Sequence, residues 1–230
     1  MDLLLEVGRQ ISQTLQDPQV SAAYLAHFLA HAHAESLTTP DYPTPVARVA
    51  QALLKLSLHQ VSRIYQVPST YYTWPLSQRA LSMLAPSPAH LCKAVVLENK
   101  RWRSSLHRSS PCYCVMVQYV HSVDVAKLAE YVRSVVEGEG KVAKKHFNFR
   151  LADQETTWRK TGFEKNGVCP FGAREMWPVI LCEEITRLSP PVMWMGGGHV
   201  DYKLAMPVEA FVRATGCLVA DVSVPNAESD

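Results

Sequence analysis

The segment at residues 161–172 reads Thr-Gly-Phe-Glu-Lys-Asn-Gly-Val-Cys-Pro-Phe-Gly, and a second glycine-rich segment, Met-Gly-Gly-Gly-His-Val-Asp, spans residues 195–201. The apolar run Trp-Pro-Val-Ile-Leu at residues 177–181 lies between them and is typical of a buried strand. Glycine permits positive φ and lets backbone N–H groups approach a ligand without a Cβ in the way. The pattern predicts two glycine turns that frame one sheet and build a pocket from main-chain amides.

Upstream of these turns, the hydrophobic period changes near residue 60. Residues 20–35 and 44–59 carry apolar residues at helical spacing, and a proline-rich connector joins them, with Thr44 as the predicted N-cap before Pro45. From Val61 onward, short strands alternate with short helices. We predict strands over 61–67, 93–97, 113–119, 178–182, 192–195, 201–204 and 217–221, and helices over 76–84, 124–137, 153–160 and 207–214.

This order of elements has no strict βαβ rhythm, which favours an α+β fold with a mixed β-sheet and flanking helices. The helix that starts at Asp124 is expected to stop at the Gly-Glu-Gly of residues 138–140. We predict three parts: an N-terminal helical hairpin over residues 1–59, a main domain over residues 60–225, and a tail over residues 226–230.

The composition is that of a globular chain, since 47% of the 230 residues are hydrophobic and 19% are charged. The formal net charge of +2 is too small for a general nucleic-acid binder, yet residues 1–59 carry three Lys/Arg against five Asp/Glu, so residues 60–230 carry +4. No run approaches the roughly 18 apolar residues of a membrane span. The six cysteines form no CxxC pair, and the start of the chain lacks the pattern of a signal peptide. We expect a soluble cytoplasmic protein with reduced thiols and no membrane partner.

Lys93 opens the apolar run Ala-Val-Val-Leu of residues 94–97, beside a strand that the core should hold rigidly. An ammonium that faces a partly dry pocket can bind a carbonyl oxygen or a phosphate and stabilise developing negative charge. The alternative is a lysine at a strand end that points to water.

The two turns allow two interpretations each. The Asn-Gly-Val-Cys-Pro turn of residues 166–170 offers amides before a stiffening proline, which suits an acyl or carboxyl group, but it is also an ordinary loop sequence. Three successive glycines, residues 196–198, carry an entropic cost without a packing return, which favours a functional role.

Basic residues interleave with aromatic ones in two places. Lys100, Arg101 and Arg103 surround Trp102, while Lys144 and Lys145 precede two phenylalanines. Such interleaving suits phosphate contact with base stacking, and a solvated charged face is the alternative.

Two further constellations are weaker. His27, His31 and Glu35 lie four residues apart on one helical face, a spacing that metal sites use, but a surface or interhelical stripe on an Ala-rich helix explains it better, since no second cluster completes the shell. Cys112 and Cys114 face the same side of a strand, and a thiol nucleophile would need a histidine as its base. His121 and His146 are available, but nothing in the sequence ties either of them to a thiol.

Together and in this order, the features resemble the YbaK and ProX family of aminoacyl-tRNA editing domains over about residues 60–225. The matching pieces are the Cys-Lys-Ala-Val-Val-Leu strand at 92–97, a helix ending near 138, the Lys-Val-x-x-Lys-x-x-x-Phe-x-x-Ala-Asp segment at 141–153, the Thr-Gly-Phe…Gly-Val-x-Pro-Phe-Gly turn, and the Gly-Gly-Gly…Asp-x-Lys-Leu segment at 196–204. The glycine and proline turn is the most specific of them.

The resemblance implies an activity, since family members hydrolyse the ester of a mischarged tRNA, either as freestanding proteins or attached to prolyl-tRNA synthetase. It implies that Lys93 is the essential catalytic lysine, which holds the aminoacyl group or the terminal adenosine's phosphate. It also implies that no metal or cofactor is needed, and that a ribose hydroxyl or a pocket water attacks the ester. The substrate-binding residues that we expect from it are Asn166, Gly167, Val168, Pro170, Gly196, Gly197, Gly198 and Asp201.

One departure from the family concerns the turn, which usually reads Gly-x-x-x-Pro. The glycine four positions before Pro170 is here Asn166, and Gly167 follows it. Asparagine tolerates left-handed backbone better than most residues, so the amide geometry can survive.

Three hypotheses about function follow. The first is a freestanding trans-editing deacylase that clears a mischarged tRNA such as Ala- or Cys-tRNA(Pro), with tRNA as its partner and an aminoacyl-tRNA synthetase as a second candidate partner. The second is a non-catalytic module of the same fold that binds tRNA or a synthetase, an interpretation that Asn166 favours. The third is a binder of a small carboxylate or nucleotide.

Overall fold

Six α-helices and ten strands make up the part of the chain that the computed structural model describes, namely residues 6, 10, 13–36, 41–103, 109–136 and 142–227. The helices are α1 (Pro18–Ser36), α2 (Thr44–Lys55), α3 (Leu76–Ser82), α4 (Val125–Val136), α5 (Gln154–Thr161) and α6 (Val208–Thr215). The strands are β1 (Arg63–Gln66), β2 (Cys92–Asn99), β3 (Cys112–Gln118), β4 (His121–Val123), β5 (Phe149–Leu151), β6 (Val179–Cys182), β7 (Val192–Gly196), β8 (Tyr202–Pro207), β9 (Leu218–Ala220) and β10 (Ser223–Pro225).

The main sheet has five strands in the order β5-β2-β3-β6-β9 and is mixed, because β5, β2 and β3 pair antiparallel while β6 and β9 join parallel. A second, antiparallel sheet has the order β1-β8-β7, and β10 pairs with β4. A bridge between Leu91 and Trp194 links the first two sheets next to Lys93. The predicted α+β class with a mixed sheet is confirmed, although β4, β5 and β10 had no counterpart among the predicted strands.

Two apolar clusters hold these layers together. The larger one lies under the five-stranded sheet and takes in Leu53 of α2, Leu128 of α4 and Phe211 of α6. The smaller one packs Phe28 of α1 against Trp194 of β7, with ring centroids 6.1 Å apart. The two N-terminal helices therefore bury their apolar faces in different clusters, and α2 belongs to the larger core.

The structure tests the predicted N-caps of two helices, α4 and α2. Asp124 accepts hydrogen bonds from the amides of Ala126 and Lys127 at 2.8 and 3.1 Å, so its predicted capping role is confirmed. The predicted cap at Thr44 is wrong, because Thr44 is already helical and Pro43 occupies the N-cap position. Helix α4 ends at Val136, and the predicted stop at residues 138–140 lies outside the described residues.

Helix α2 is seated on glycines of the 161–172 turn and of the 196–198 run. A Cβ at Gly172 would lie 2.7 Å from the carbonyl oxygen of Arg48, and one at Gly198 would lie 2.7 Å from that of Pro45. Both glycines have positive φ, 73° and 99°. This close approach gives the glycines a packing role, while the predicted domain boundaries at residues 59 and 225 stay predictions.

Candidate functional site

A cavity of about 440 Å³ opens where the start of β2 faces the 161–172 turn. Four of the predicted site residues line it: Lys93, Asn166, Val168 and Gly196. The remaining lining residues are Cys92, Ala94, Val95, Val96, Tyr119, Leu151, Ala152, Asp153, Gln154, Thr157 and Lys165. The fold thus brings together residues that are more than 100 positions apart in the sequence.

Lys93 is half-buried at the wall of this cavity. Its ammonium lies 5.4 Å from the ring centroid of Tyr119, and burial lowers its pKa. Within the described ranges, neither a carboxylate nor a hydrogen-bond acceptor pairs with it. A partly desolvated ammonium without an acceptor is suited to bind an anionic or carbonyl oxygen from a ligand.

The turn that faces Lys93 has the left-handed geometry that its sequence permits. Asn166 has φ of 68°, a left-handed conformation that glycine adopts freely and asparagine tolerates better than most residues. Its carbonyl oxygen accepts a hydrogen bond from the Tyr72 hydroxyl at 3.1 Å. In the described part of the chain, the amides of Asn166 and Val168 have no acceptor.

Three other amides expected to face a ligand are already used inside the protein. The Gly167 amide donates to Glu164 O at 3.0 Å, the Gly198 amide to Gly167 O at 2.9 Å, and the Gly197 amide to Tyr202 O at 3.0 Å. The expectation that these amides fix a substrate carbonyl is therefore corrected. The glycines let the two turns touch, since a Cβ at Gly196 would overlap the carbonyl oxygen of Val168.

The remaining predicted site residues lie outside this cavity. Pro170 lines a neighbouring cavity of about 330 Å³. Asp201 has its carboxylate 3.8 Å from Nδ1 of His199, and its backbone carbonyl accepts from the Val67 amide at 2.8 Å. Whether Pro170 and Asp201 contact substrate stays a prediction.

A cluster of tyrosines and cations behind the cavity escaped the sequence reasoning. Lys203 is only 4% exposed, and its Nζ lies 5.0 and 4.8 Å from the ring centroids of Tyr71 and Tyr72. Arg79 stacks on the same two rings. Tyr72 and Tyr119 together line a small adjoining pocket, and Tyr119 also lines the cavity. This cluster supports the cavity wall from behind. A lysine within the apolar strand Lys-Leu-Ala-Met at residues 203–206 was the sequence signal that could have indicated it.

The structure disfavours the two weaker alternatives, a cysteine nucleophile and a metal site at the histidines. Burial raises the pKa of the Cys114 thiol to about 12 and also raises that of Cys112, which disfavours a thiolate nucleophile. The rings of His27 and His31 contact each other at 4.3 Å, but no group of three or more metal-ligating side chains occurs within the described residues. All six cysteines are free.

The two basic segments meet at one buried asparagine. Asn99 donates to His146 O at 2.9 Å and accepts from the Asn148 amide, so the segment of Lys100, Arg101 and Arg103 adjoins that of Lys144 and Lys145. Lys100 pairs with Glu98 at 2.6 Å, whereas the other four basic side chains form no ion pair with the described residues. The cavity rim at Leu151 continues from the same β5–β2 pairing.

Comparisons with known proteins address the fold and the family. A protein described as a candidate trans-editing enzyme for prolyl tRNA synthetase superposes with a TM-score of 0.63 at 20% identity, covering 80% of this chain and 99% of that one. A scaffold protein used for grafting linear epitopes gives 0.62 at 18% identity with the same coverage, and hypothetical protein APE2540 gives 0.59 at 18% identity, covering 77% and 99%. At these identities the likeness shows a shared fold.

Three further findings concern membrane spans, curated sequences and the family. None of the helices in the described residues is both long and apolar enough to cross a bilayer. Comparison with curated protein sequences gives no significant match. The model of the aminoacyl-tRNA editing domain, however, matches residues 76–214, which include β2 with Lys93, the 161–172 turn and the 196–198 glycines. The chain therefore belongs to the aminoacyl-tRNA editing domain family.

Proposed function

We propose that this protein is a trans-editing deacylase that hydrolyses the ester bond of a mischarged aminoacyl-tRNA. The observation that carries the proposal is the half-buried Lys93 ammonium, which has no acceptor in the described chain and lines a cavity opposite the Asn166 turn. A prolyl-type tRNA carrying alanine or cysteine is the first candidate substrate, since a structural neighbour is described as acting with prolyl tRNA synthetase. Its place of action is the cytoplasm.

In this mechanism Lys93 donates to the ester carbonyl oxygen or to the phosphate of the terminal adenosine. Negative charge grows on the carbonyl oxygen as the tetrahedral intermediate forms, and a preorganised ammonium in a partly dry site stabilises it. The unengaged amides of Asn166 and Val168 belong to residues of the same cavity lining and are main-chain donors for this oxygen.

The attacking oxygen is assigned to water rather than to a side chain. The carboxylate of Asp153 caps α5 by accepting from the Thr156 amide at 2.7 Å, and this bond lowers its pKa. Burial raises the pKa of the Cys92 thiol. A water oriented by the neighbouring ribose hydroxyl attacks the ester carbon, the ester C–O bond breaks, and the tRNA regains its terminal hydroxyl as the amino acid leaves.

The test is hydrolysis of tRNAs charged with alanine, cysteine, serine or proline by the wild-type protein, Lys93→Ala and Lys127→Ala. Lys127 is the matched control, because its ammonium is paired with Asp221 at 2.9 Å in a different cavity. We expect the wild type and Lys127→Ala to release the same amino acid, and Lys93→Ala to release none at a measurable rate.

The same experiment separates the non-catalytic alternative. A wild-type protein that binds uncharged tRNA but releases no amino acid from any of the four substrates contradicts the deacylase proposal. That result would favour a module that binds tRNA or a synthetase. The positive φ of Asn166 argues against this alternative, since the asparagine preserves the turn.

A further inference from the structure

Two arginines converge on the Thr-Gly-Phe turn, away from the cavity lining. The point where a Cβ of Gly162 would stand lies 2.5 Å from Nη1 of Arg48 and 2.7 Å from Nε of Arg174. The two guanidinium groups are thus direct neighbours. Arg48 comes from α2, and Arg174 follows the 161–172 turn.

Each arginine is held in place by an aromatic ring. The guanidinium of Arg48 lies 4.6 Å from the ring centroid of Phe163, and its Nη2 donates to Gly162 O at 2.6 Å. The guanidinium of Arg174 lies 4.4 Å from the ring centroid of Trp158, whose side chain is 47% exposed. Stacking orients both groups and leaves edge N–H donors free for a ligand.

The like charges have no counter-ion in the described part of the chain. The nearby Glu175 is engaged by Lys160 at 2.9 Å, and neither arginine forms an ion pair there. Arg48 uses one of its five N–H donors in the hydrogen bond to Gly162. The Arg174 charge also contributes to a lowered pKa at Arg48, after burial. Two adjacent cations without an anion favour the binding of one.

We propose that Arg48 and Arg174 form a clamp for a phosphate group. Guanidinium forks match the oxygens of a phosphate in a bidentate manner, so two of them suit a single phosphate better than they suit a carbonyl ligand. The RNA backbone is the first source of that phosphate, a choice that rests on the proposed function, and free phosphate is the second. Arg48 lies outside residues 76–214, so the N-terminal segment adds to this family member a ligand-binding residue of its own.

The test measures binding of uncharged tRNA and of inorganic phosphate to Arg174→Gln and Arg48→Gln, with Arg213→Gln as the matched control. Arg213 is 76% exposed and pairs with Glu209 at 3.5 Å, so its replacement removes the same charge elsewhere. Arg48→Lys keeps the charge without the fork. Thermal unfolding verifies that each variant folds. If Arg48→Gln does not fold, Arg174→Gln still tests the clamp, because Arg174 is exposed.

We expect Arg174→Gln and Arg48→Gln to weaken tRNA binding about three- to tenfold near 0.15 M salt and to reduce the salt-dependence slope by about 0.7 to 0.9. Arg213→Gln should match the wild type in affinity. A response to inorganic phosphate with no change in tRNA affinity keeps the anion clamp and assigns it to free phosphate. Equal behaviour of Arg174→Gln and Arg213→Gln toward both ligands overturns the clamp.

Failure of the clamp and failure of the deacylase proposal give different results. A wild-type protein that deacylates while Arg174→Gln binds tRNA and phosphate normally overturns the clamp alone. A protein that deacylates no substrate but loses phosphate binding in Arg174→Gln overturns the activity alone.

Discussion

Lys93 and Lys203 stand on two sides of the same tyrosine cluster and differ in what they bind. Lys203 is 4% exposed, and its ammonium donates to Val200 O at 2.6 Å. Burial lowers its pKa to about 8. Lys93 is half-buried and has no acceptor among the described residues, although burial lowers its pKa as well. The lysine with the larger pKa shift is thus the one whose ammonium already has an acceptor. A binding site is better recognised by an ammonium without an acceptor in a cavity than by a pKa shift alone.

Replacement of Lys93 by methionine gives the largest expected effect and tests the comparison directly. We expect the deacylation rate to fall at least about 100-fold, since a donor to the developing oxyanion is lost. The free energy of unfolding should change by less than about 0.5 kcal/mol, because Lys93 forms no hydrogen bond or ion pair inside the described chain and only its 5.4 Å contact with the Tyr119 ring is lost. Initial rates on the best charged tRNA and urea unfolding provide the two measurements. A large loss of stability with unchanged rate would reverse the roles given to the two lysines.

The pH dependence of stability should separate the two lysines next. The folded-state pKa of Lys203 is about 8, below the ordinary value of 10.5, so the unfolded chain binds more protons between these values. Stability from this group therefore rises with pH from about 8 upward. Between pH 7 and 9.5 the gain should be about 2 kcal/mol relative to Lys203→Met.

Urea unfolding of the wild type and Lys203→Met across that pH range makes the measurement, and the difference between the two cancels the titration of tyrosines and cysteines. Parallel pH curves for the two proteins would show that Lys203 titrates as an ordinary lysine. Lys93→Met serves as the control, because its half-exposed ammonium should shift the curve less.

Substitutions at Asn166 test whether the backbone of the turn, rather than the asparagine side chain, contributes to the site opposite Lys93. Asn166→Ala should lower the free energy of unfolding by about 1 kcal/mol, since alanine lacks the short polar side chain that lets asparagine tolerate a φ of 68°. Asn166→Gly relieves the strain and should keep the wild-type rate within about threefold. If Asn166→Gly instead abolishes deacylation while it stays folded, the amide side chain itself takes part in the site.

The smallest effect is expected at the hydroxyl that joins the two regions. Tyr72→Phe removes the donor to Asn166 O and keeps the ring that stacks on Lys203. The cost should be about 0.5 to 1 kcal/mol in unfolding free energy, typical of one hydrogen bond near the surface. A rate change above about tenfold, measured with the same charged tRNA, would mean that the cluster around Lys203 positions the catalytic turn.

The sequence predicted the fold well where periodicity and glycines carry the information. The strand at Lys93, the capped helix after Asp124 and the left-handed tolerance of Asn166 all agree with the structure. Strands of three residues such as β4 and β10 are too short to show a period, and they were missed.

The site was predictable in part, for a related reason. Lys93, Asn166, Val168 and Gly196 meet at one cavity, as the order of motifs indicated. Sequence alone does not reveal which amides are already bonded. The amides of Gly167, Gly197 and Gly198 donate to their own chain, while a contact of these residues with substrate stays a prediction. Tyr72 and Arg48 reach the two turns only through tertiary packing, which leaves no local pattern to detect.

The fit of α2 onto Gly172 and Gly198 limits how this protein can be recombined with others. At 2.7 Å the backbone of Arg48 and Pro45 occupies the space where side chains would otherwise stand. A chimera that begins at residue 60 would leave two carbonyl-sized indentations and an uncovered Leu53-binding surface. We therefore expect the smallest portable unit to start before Thr44, and a fusion to a synthetase to stay folded only if it carries that helix along.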